Sequence, residues 1–526
     1  MLEKIKTKNL TFAGLWVLFT AALALWAEFL CREDSLSHDT FYQMNLIKHP
    51  WNELLYYISI DYSPPLYAFV LKIYASVFGY GLAGLRVFST VILAAGLLII
   101  FFPFRRLMGK TSSVVAACMY ISSAYLFYFS VEVRPAVLAY VLTTGMFVYA
   151  VLALFEGRKS DMIMFTVLAC FCMYTHNVSL IAAFCVYGTT IILALIRKRF
   201  DVFKKFLISG IAVAVLYIPW LIVLMGQYSN VMENYWSNEG SLPFAFFIVL
   251  IGIVENELVP YLSFITIIFI IFLPLILIIL MIPAQRYKTA GSIRELITVK
   301  EIKKNCPNLN KFLYLALIVS ASIVGFYLFT VLLVPVFVER YLYILSGGGI
   351  LLLASLVSIC DRKKVLAVIL SVMVLVTGVC NAYKKRGDLD SYTRDQMIED
   401  VTRISGDEPV FVHPTEYTIS YSKYAFPNSR HYATTFIGKV LVSLDVLNTD
   451  ITYLPDYDSL WDCTDEVYIM DFEKIGQRSD DEAIEYALYW FSIDDELEAE
   501  VVGRYTLPYE CDFDECEAIV LRVTRK

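Results

Sequence analysis

Long apolar runs separated by short polar joins fill the chain from its start to about residue 381. A helix needs about 20 apolar residues to cross the hydrocarbon of a bilayer. Eleven stretches reach or approach that length: 10–30, 83–104, 111–129, 133–155, 160–175, 178–196, 204–226, 258–283, 312–335, 341–359 and 364–381. Each reads as a transmembrane helix. The run Leu242–Val254 reads instead as an interfacial or half-inserted helix, because a full span there would invert everything after it.

The pattern changes past Lys385. Helical spacing recurs over Arg394–Ile404 and Asp481–Phe491, and short apolar strands read at Pro409–His413, Glu466–Met470, Ala499–Tyr505 and Ala518–Val523. The chain is therefore expected to divide into a transmembrane domain, 1–385, and a small α/β domain, 386–526. Heptads, low-complexity tracts and short-period repeats are absent from the sequence.

Composition agrees with this reading. Hydrophobic residues make up 58% of the 526 and charged residues only 18%, which excludes a soluble enzyme, a disordered chain or a collagen. The 11 cysteines are too scattered for a disulfide-rich module. The net charge of −7 hides a split: from Gly387 onward there are 31 acidic and 11 basic residues, before it 19 and 32.

Charge also orients the spans. Lys4/Lys6/Lys8, Arg105/Arg106/Lys110, Arg158/Lys159, the bases from Arg197 to Lys205, those from Arg286 to Lys311, and Arg362/Lys363/Lys364 fall on one side. The positive-inside rule makes that side cytoplasmic. With eleven spans the acidic domain is extracytoplasmic, as expected of a plasma-membrane protein, most simply a bacterial one. The first run lacks a small-residue cleavage pattern and is expected to remain as an anchor. Of Cys463, Cys511 and Cys516, the last two could bridge, and buried free thiols are the equal alternative.

Charges at a membrane are costly, so their placement is informative. The outward loop 31–82 holds Glu33, Asp34, His38, Asp39, His49 and Asp61, followed by Ser63-Pro64-Pro65-Leu66-Tyr67. Later outer turns supply Glu132 and Arg134, then His176, then Glu339-Arg340-Tyr341. Such convergence predicts one outward-facing polar cavity roofed by the first loop. A carboxylate beside a hydroxyl can act as general base, and an arginine fork can hold a phosphate that leaves. The sequence contains no phosphate-binding glycine loop for a soluble nucleotide, so a lipid-anchored donor fits better.

Simpler readings stand beside these. Asp39 could cap the helix Thr40–Ile47, Glu132 and Arg134 could pair with each other, His176 could be a structural hydrogen-bonder, and Glu339-Arg340 could be an ordinary turn.

The spacing Asp39-Thr40-Phe41-Tyr42, His49-Pro50, Asp61-Tyr62-Ser63-Pro64-Pro65-Leu66-Tyr67 and Phe78-Gly79 resembles the first outer loop of the protein O-mannosyltransferase-like glycosyltransferases of the GT-C fold. Ser130-Val131-Glu132-Val133-Arg134, Tyr174-Thr175-His176, Tyr235-Trp236 and Arg340-Tyr341-Leu342 resemble later motifs of that family, so that the likeness covers about residues 10–360. It implies a GT-C-like bundle and inverting transfer of a sugar from a polyprenyl-phosphate donor to a protein, lipid or polysaccharide acceptor. Asp39 would be the catalytic base, and Asp61, Glu132, Arg134, His176, Arg340 and Tyr341 would bind substrate, with Arg340 on the donor phosphate. The family's second acidic residue is Thr40 here and its histidine is Ser63, which leaves the cofactor unknown and a divalent cation open. No nucleic acid is expected as a partner.

The competing classes are a polytopic transporter or lipid flippase and a receptor whose business is the outer domain. Transporters place charge near the midplane and carry internal repeats. Here the charge collects at one face.

Overall fold

The structure is a computed structural model that describes residues 2–30, 37–61, 63–234, 240–250, 252, 308–334, 336–359, 363–390, 394–413, 416–434, 446, 451–474, 476–491, 497–507 and 516–526. Among them, eight helices are long and apolar enough to cross a membrane: Thr11–Leu30, Leu82–Met108, Pro135–Glu156, Asn177–Ile196, Phe200–Gln227, Leu309–Leu332, Glu339–Ile359 and Lys364–Tyr383. Burial ranks them. Pro135–Glu156 is 89% buried over its most apolar window and forms the centre of the bundle, whereas Phe200–Gln227 and Lys364–Tyr383 are 22% buried and turn apolar faces outward.

Of the eleven expected spans, two differ and one is not described. The stretch 258–283 lies outside the described residues, and 160–175 forms the helix Lys159–Thr175, a little short of spanning length. The stretch 111–129 breaks. Its helix Lys110–Ile121 stops at Ser122, and a second short helix, Leu126–Val131, follows. Twelve residues reach about 18 Å, well under the hydrocarbon thickness. The apolar run continues past the break because Tyr125 and Phe129 pack inward, on Tyr343 and Tyr140. Leu242–Leu250 is a nine-residue helix, too short to span.

Small residues let the central helices approach closely. A Cβ on Gly347 would meet Thr144 Oγ1, and one on Gly348 would lie 2.8 Å from Val319 and 2.9 Å from Phe147. The Ser346–Gly349 run is thus a backbone-deep seam against Pro135–Glu156 and Leu309–Leu332.

The first loop folds into three helices, His38–Leu46, Trp51–Ile60 and Leu66–Phe78. The last one ends at Gly79, whose φ of +97° suits a residue without Cβ. The ammonium of the buried Lys72 donates to the carbonyls of Ile47 (2.7 Å) and His49 (2.6 Å), tying this helix to the end of the first.

The C-terminal region carries a six-stranded sheet of order β3-β2-β1-β4-β6-β5. Strands β1 (Val410–His413), β2 (Arg430–Thr434), β3 (Ile451–Leu454) and β4 (Glu466–Lys474) are parallel, whereas β6 (Cys516–Arg525) pairs antiparallel with β4, and β5 (Leu497–Leu507) pairs antiparallel with β6 at the edge. Alternation along the strands serves two cores. Val410, Val412, Val467 and Ile469 face the helix Asp480–Phe491, while Phe411, Tyr468 and Met470 face Arg394–Ser405 and Glu416–Ala425. All six expected elements form, and Glu416–Ala425, β2 and β3 are additional. Cys463 is free and exposed; Cys511 lies outside the described residues.

Candidate active site

The helix His38–Leu46 begins with Ser37 as its N-cap, the hydroxyl accepting from the Thr40 amide at 3.2 Å. The cap role read as an alternative for Asp39 is therefore filled by Ser37. Asp39, in the first turn, instead directs its carboxylate at two guanidiniums: Oδ2 pairs with Arg134 and faces Arg340 Nη2 at 4.0 Å. Arg134 ends its own segment as the residue before Pro135, where the extended backbone required ahead of a proline points its side chain toward the loop.

Glu132 does not pair with Arg134. Its carboxylate accepts from Ser37 Oγ and from Thr40 Oγ1 (2.8 Å), while Thr40 Oγ1 accepts from the Val133 amide at 3.1 Å. The peptide before it is held by Arg86, a buried guanidinium that donates to the Val131 carbonyl at 3.0 Å. Thr40, the departure from the family pattern, thus fits as a hydroxyl donor to Glu132.

The Asp39 carboxyl sits in a contest of effects. Burial pushes its pKa up, but Arg134, Arg340 and His38 pull harder and hold it below the ordinary aspartate value of 3.8. Burial lowers the His38 pKa and keeps the imidazole neutral near neutral pH, with Asp39 opposing and Arg134 assisting. The Tyr128 phenol accepts from Arg134 Nη1 at 3.3 Å, completing an ionised, aromatic-walled corner. Among the described residues, the buried Nε of Arg340 finds no hydrogen-bond partner there.

The remaining expected residues spread around this corner. His176 Nδ1 accepts from the Val178 amide at 3.2 Å, so the ring caps the helix Asn177–Ile196, and it stacks edge-on against Tyr341 at 5.3 Å. Burial and Arg134 lower its pKa to about 3. Asp61 closes the helix Trp51–Ile60 and its backbone carbonyl accepts from Gln227. Its charge is felt at Tyr42, whose pKa burial raises first and Asp61 and Asp39 raise further. Sequence reasoning missed Ser37 and Tyr128 altogether; the serine three residues before Thr40 was the available signal for the first.

The donor set does not suit a divalent cation. Asp39 Oδ2 is committed to guanidiniums and Glu132 Oε2 to hydroxyls, and among the described residues no group of three His, Cys, Asp or Glu side chains is placed to hold a metal.

Residues 62–223 match the family model described as dolichyl-phosphate-mannose-protein mannosyltransferase, a stretch that includes Glu132, Arg134 and His176. The crystal structure of ArnT from Cupriavidus metallidurans bound to undecaprenyl phosphate superposes with a TM-score of 0.56 at 11% identity, covering 96% of this chain and 98% of that one. Its fold is GT-C. The apo form of the same ArnT gives 0.55 at 12% identity, covering 97% and 98%. No curated protein sequence matches this chain significantly. The family segment and the GT-C fold agree on a membrane glycosyltransferase.

Proposed function

We propose that this GT-C chain moves a sugar from a polyprenyl-phosphate donor to an acceptor hydroxyl on the extracytoplasmic face, with inversion at the anomeric carbon. The observation that carries the reading is the Asp39 carboxylate set between Arg134 and Arg340, with a donor of Arg340 left over.

The chemistry follows from charge. A donor phosphate brings stronger negative charge than one carboxylate and offers several oxygens to two guanidinium forks. It draws Arg134 and Arg340 toward itself, and Asp39, relieved of its counter-ions, regains basicity. Asp39 then takes the proton of the acceptor hydroxyl as its oxygen attacks C1 on the face opposite the phosphate. The C1–O bond breaks, its electron pair goes to the phosphate, and the polyprenyl phosphate remains on the arginines. A positioned base supplies about 10²–10⁴-fold, so the guanidiniums must supply much of the rest through the charge that develops on the leaving oxygen.

The membrane placement belongs to the same reading. The basic connectors support an N-terminus in the cytoplasm and a sheet outside. Residues 1–385 form the catalytic bundle and 386–526 its outer domain. ArnT binds undecaprenyl phosphate, which makes a polyprenyl phosphate the natural probe. The decisive experiment compares surface glycans and lipid-linked sugars of a deletion strain by mass spectrometry, complemented with wild type or with Asp39→Asn. The unused donor accumulates and the product vanishes in the deletion and in the variant. An unchanged lipid-linked pool in the deletion strain rejects the function.

A further inference from the structure

The helix that bears Asp39 is held from two sides. From the membrane bundle, Glu132 takes the hydroxyls of Ser37 and Thr40, and Arg134 and Arg340 take Asp39. From the C-terminal sheet region, Ser420 on the helix Glu416–Ala425 reaches His38: its Oγ lies 2.6 Å from His38 Nδ1. Ser420 is 2% exposed, so this bond is made away from bulk water. Next to it, Ile419 and Ala433 form an apolar contact with Phe41 and Tyr42, one helical turn beyond Asp39. Past the far end of the Asp39 helix, His49 Nε2 donates to the Val446 carbonyl at 2.9 Å, and Val446 packs with Leu46, Leu54 and Ile58.

We propose that the C-terminal region is part of the active site, and that Ser420 and His38 are positioning residues that fix the first turn of the Asp39 helix so that the carboxylate reaches both the arginines and the acceptor. The inference rests on Asp39 being the base. His38 and Asp39 are consecutive, so a rotation of the first turn that releases His38 also swings the carboxylate. Misplacement of a reacting group by about 1 Å costs on the order of 10²-fold in rate. The bundle opposes that rotation through Glu132 and the Val133 amide, which hold Ser37 and Thr40, and through arginines that the donor itself recruits. Once the phosphate has taken those arginines, Ser420 still anchors this turn from outside the bundle. Its effect is therefore greatest in the donor complex, on turnover rather than on binding.

The test uses the full chain in nanodiscs, with total lipid extract of the deletion strain as donor, delipidated envelope of the same strain as acceptor, and inorganic-phosphate-free undecaprenyl phosphate as the binding probe. Ser420→Ala is expected to lower the limiting rate by about tenfold or more, with the half-saturating amount of extract and the binding of undecaprenyl phosphate within about twofold. Ser420→Thr, which keeps the hydroxyl, restores the rate. His38→Asn places an amide atom where Nδ1 stood and retains activity, whereas His38→Gln and His38→Phe do not. The Ser420→Ala/His38→Phe pair is no slower than the worse single variant, as for two ends of one contact. Wild-type rates in Ser420→Ala and His38→Phe overturn the proposal, as do fully additive losses. Should Ser420→Ala not fold, equal rates for His38→Asn and His38→Gln overturn it instead. Asp39→Asn is run alongside: full activity there rejects the base assignment, whereas an inactive Asp39→Asn with an unaffected Ser420→Ala rejects only the positioning role.

Discussion

Arg134 pairs with Asp39 through Oδ2, the same oxygen that Arg340 faces at 4.0 Å. A carboxylate so held is ionised but a poor base, since its proton affinity falls with each guanidinium nearby. On the proposed function, the resting site keeps its base quiet and a donor phosphate drawn to the arginines would release it. General-base strength would then be coupled to donor occupancy, and proton abstraction limited to the complex in which a leaving group is present.

Asp39→Asn removes the proton acceptor while preserving size and one oxygen. Transfer is expected to fall by about 10²–10⁴-fold, with binding of undecaprenyl phosphate retained or tighter, because a negative charge beside the phosphate site is gone. Rate and binding are measured on the same nanodisc preparation. A variant that turns over normally removes Asp39 from the chemistry.

The pH dependence carries a sign. The folded pKa of Asp39 lies below 3.8, so its stabilising contribution is complete above the ordinary aspartate value and is lost as pH falls through the depressed one. The acid limb of kcat/KM, which reports the free enzyme, should lie below the ordinary aspartate range. Arg134→Gln removes the largest opposing charge and leaves burial opposed by Arg340 and His38 alone, so the limb moves upward. A rate profile over about pH 3 to 7 checks this, and a limb that does not move between the two proteins contradicts it.

Arg340 has a buried Nε with no hydrogen-bond partner, a cost of about 1–3 kcal/mol for a neutral group and more for a charged one. A ligand that accepts from it recovers that cost. Arg340→Gln is expected to weaken undecaprenyl phosphate binding by about tenfold or more, and Arg340→Lys by less, because lysine keeps the charge but not the fork. Equal affinities in Arg340→Lys and wild type would show that the fork is not used.

Much of this site is legible from residue order, and the limits have physical causes. Uninterrupted apolar runs announce the long helices because a bilayer tolerates little else. The break at Ser122 is invisible because the sequence from Leu126 to Val131 is as apolar as a span, although Tyr125 and Phe129 pack inward. Asp39, Arg134 and Arg340 are readable as charges on one face; that they share one oxygen is not. Glu416–Ala425 escapes because its buried face is built from Thr418, Ser420 and Ser422 alongside Ile419 and Tyr421, so no apolar period marks it. The bond from Ser420 to His38 joins residues 382 apart, a separation that no local pattern encodes.

Glu132 supplies the last prediction. It is 8% exposed, and its Oε2 accepts from both Ser37 and Thr40. Those hydroxyls belong to the cap and first turn of the Asp39 helix, so Glu132 acts as a brace rather than a proton carrier. Glu132→Ala leaves two donors without their acceptor and is expected to destabilise the folded chain by about 1–3 kcal/mol. Glu132→Gln keeps an acceptor oxygen and should cost less than half of that. Activity falls in the same order, since the turn that carries Asp39 loosens with the brace. Unfolding of both variants in detergent, read beside their transfer rates, separates the possibilities: loss of activity in Glu132→Gln with wild-type stability would mean that Glu132 touches substrate directly.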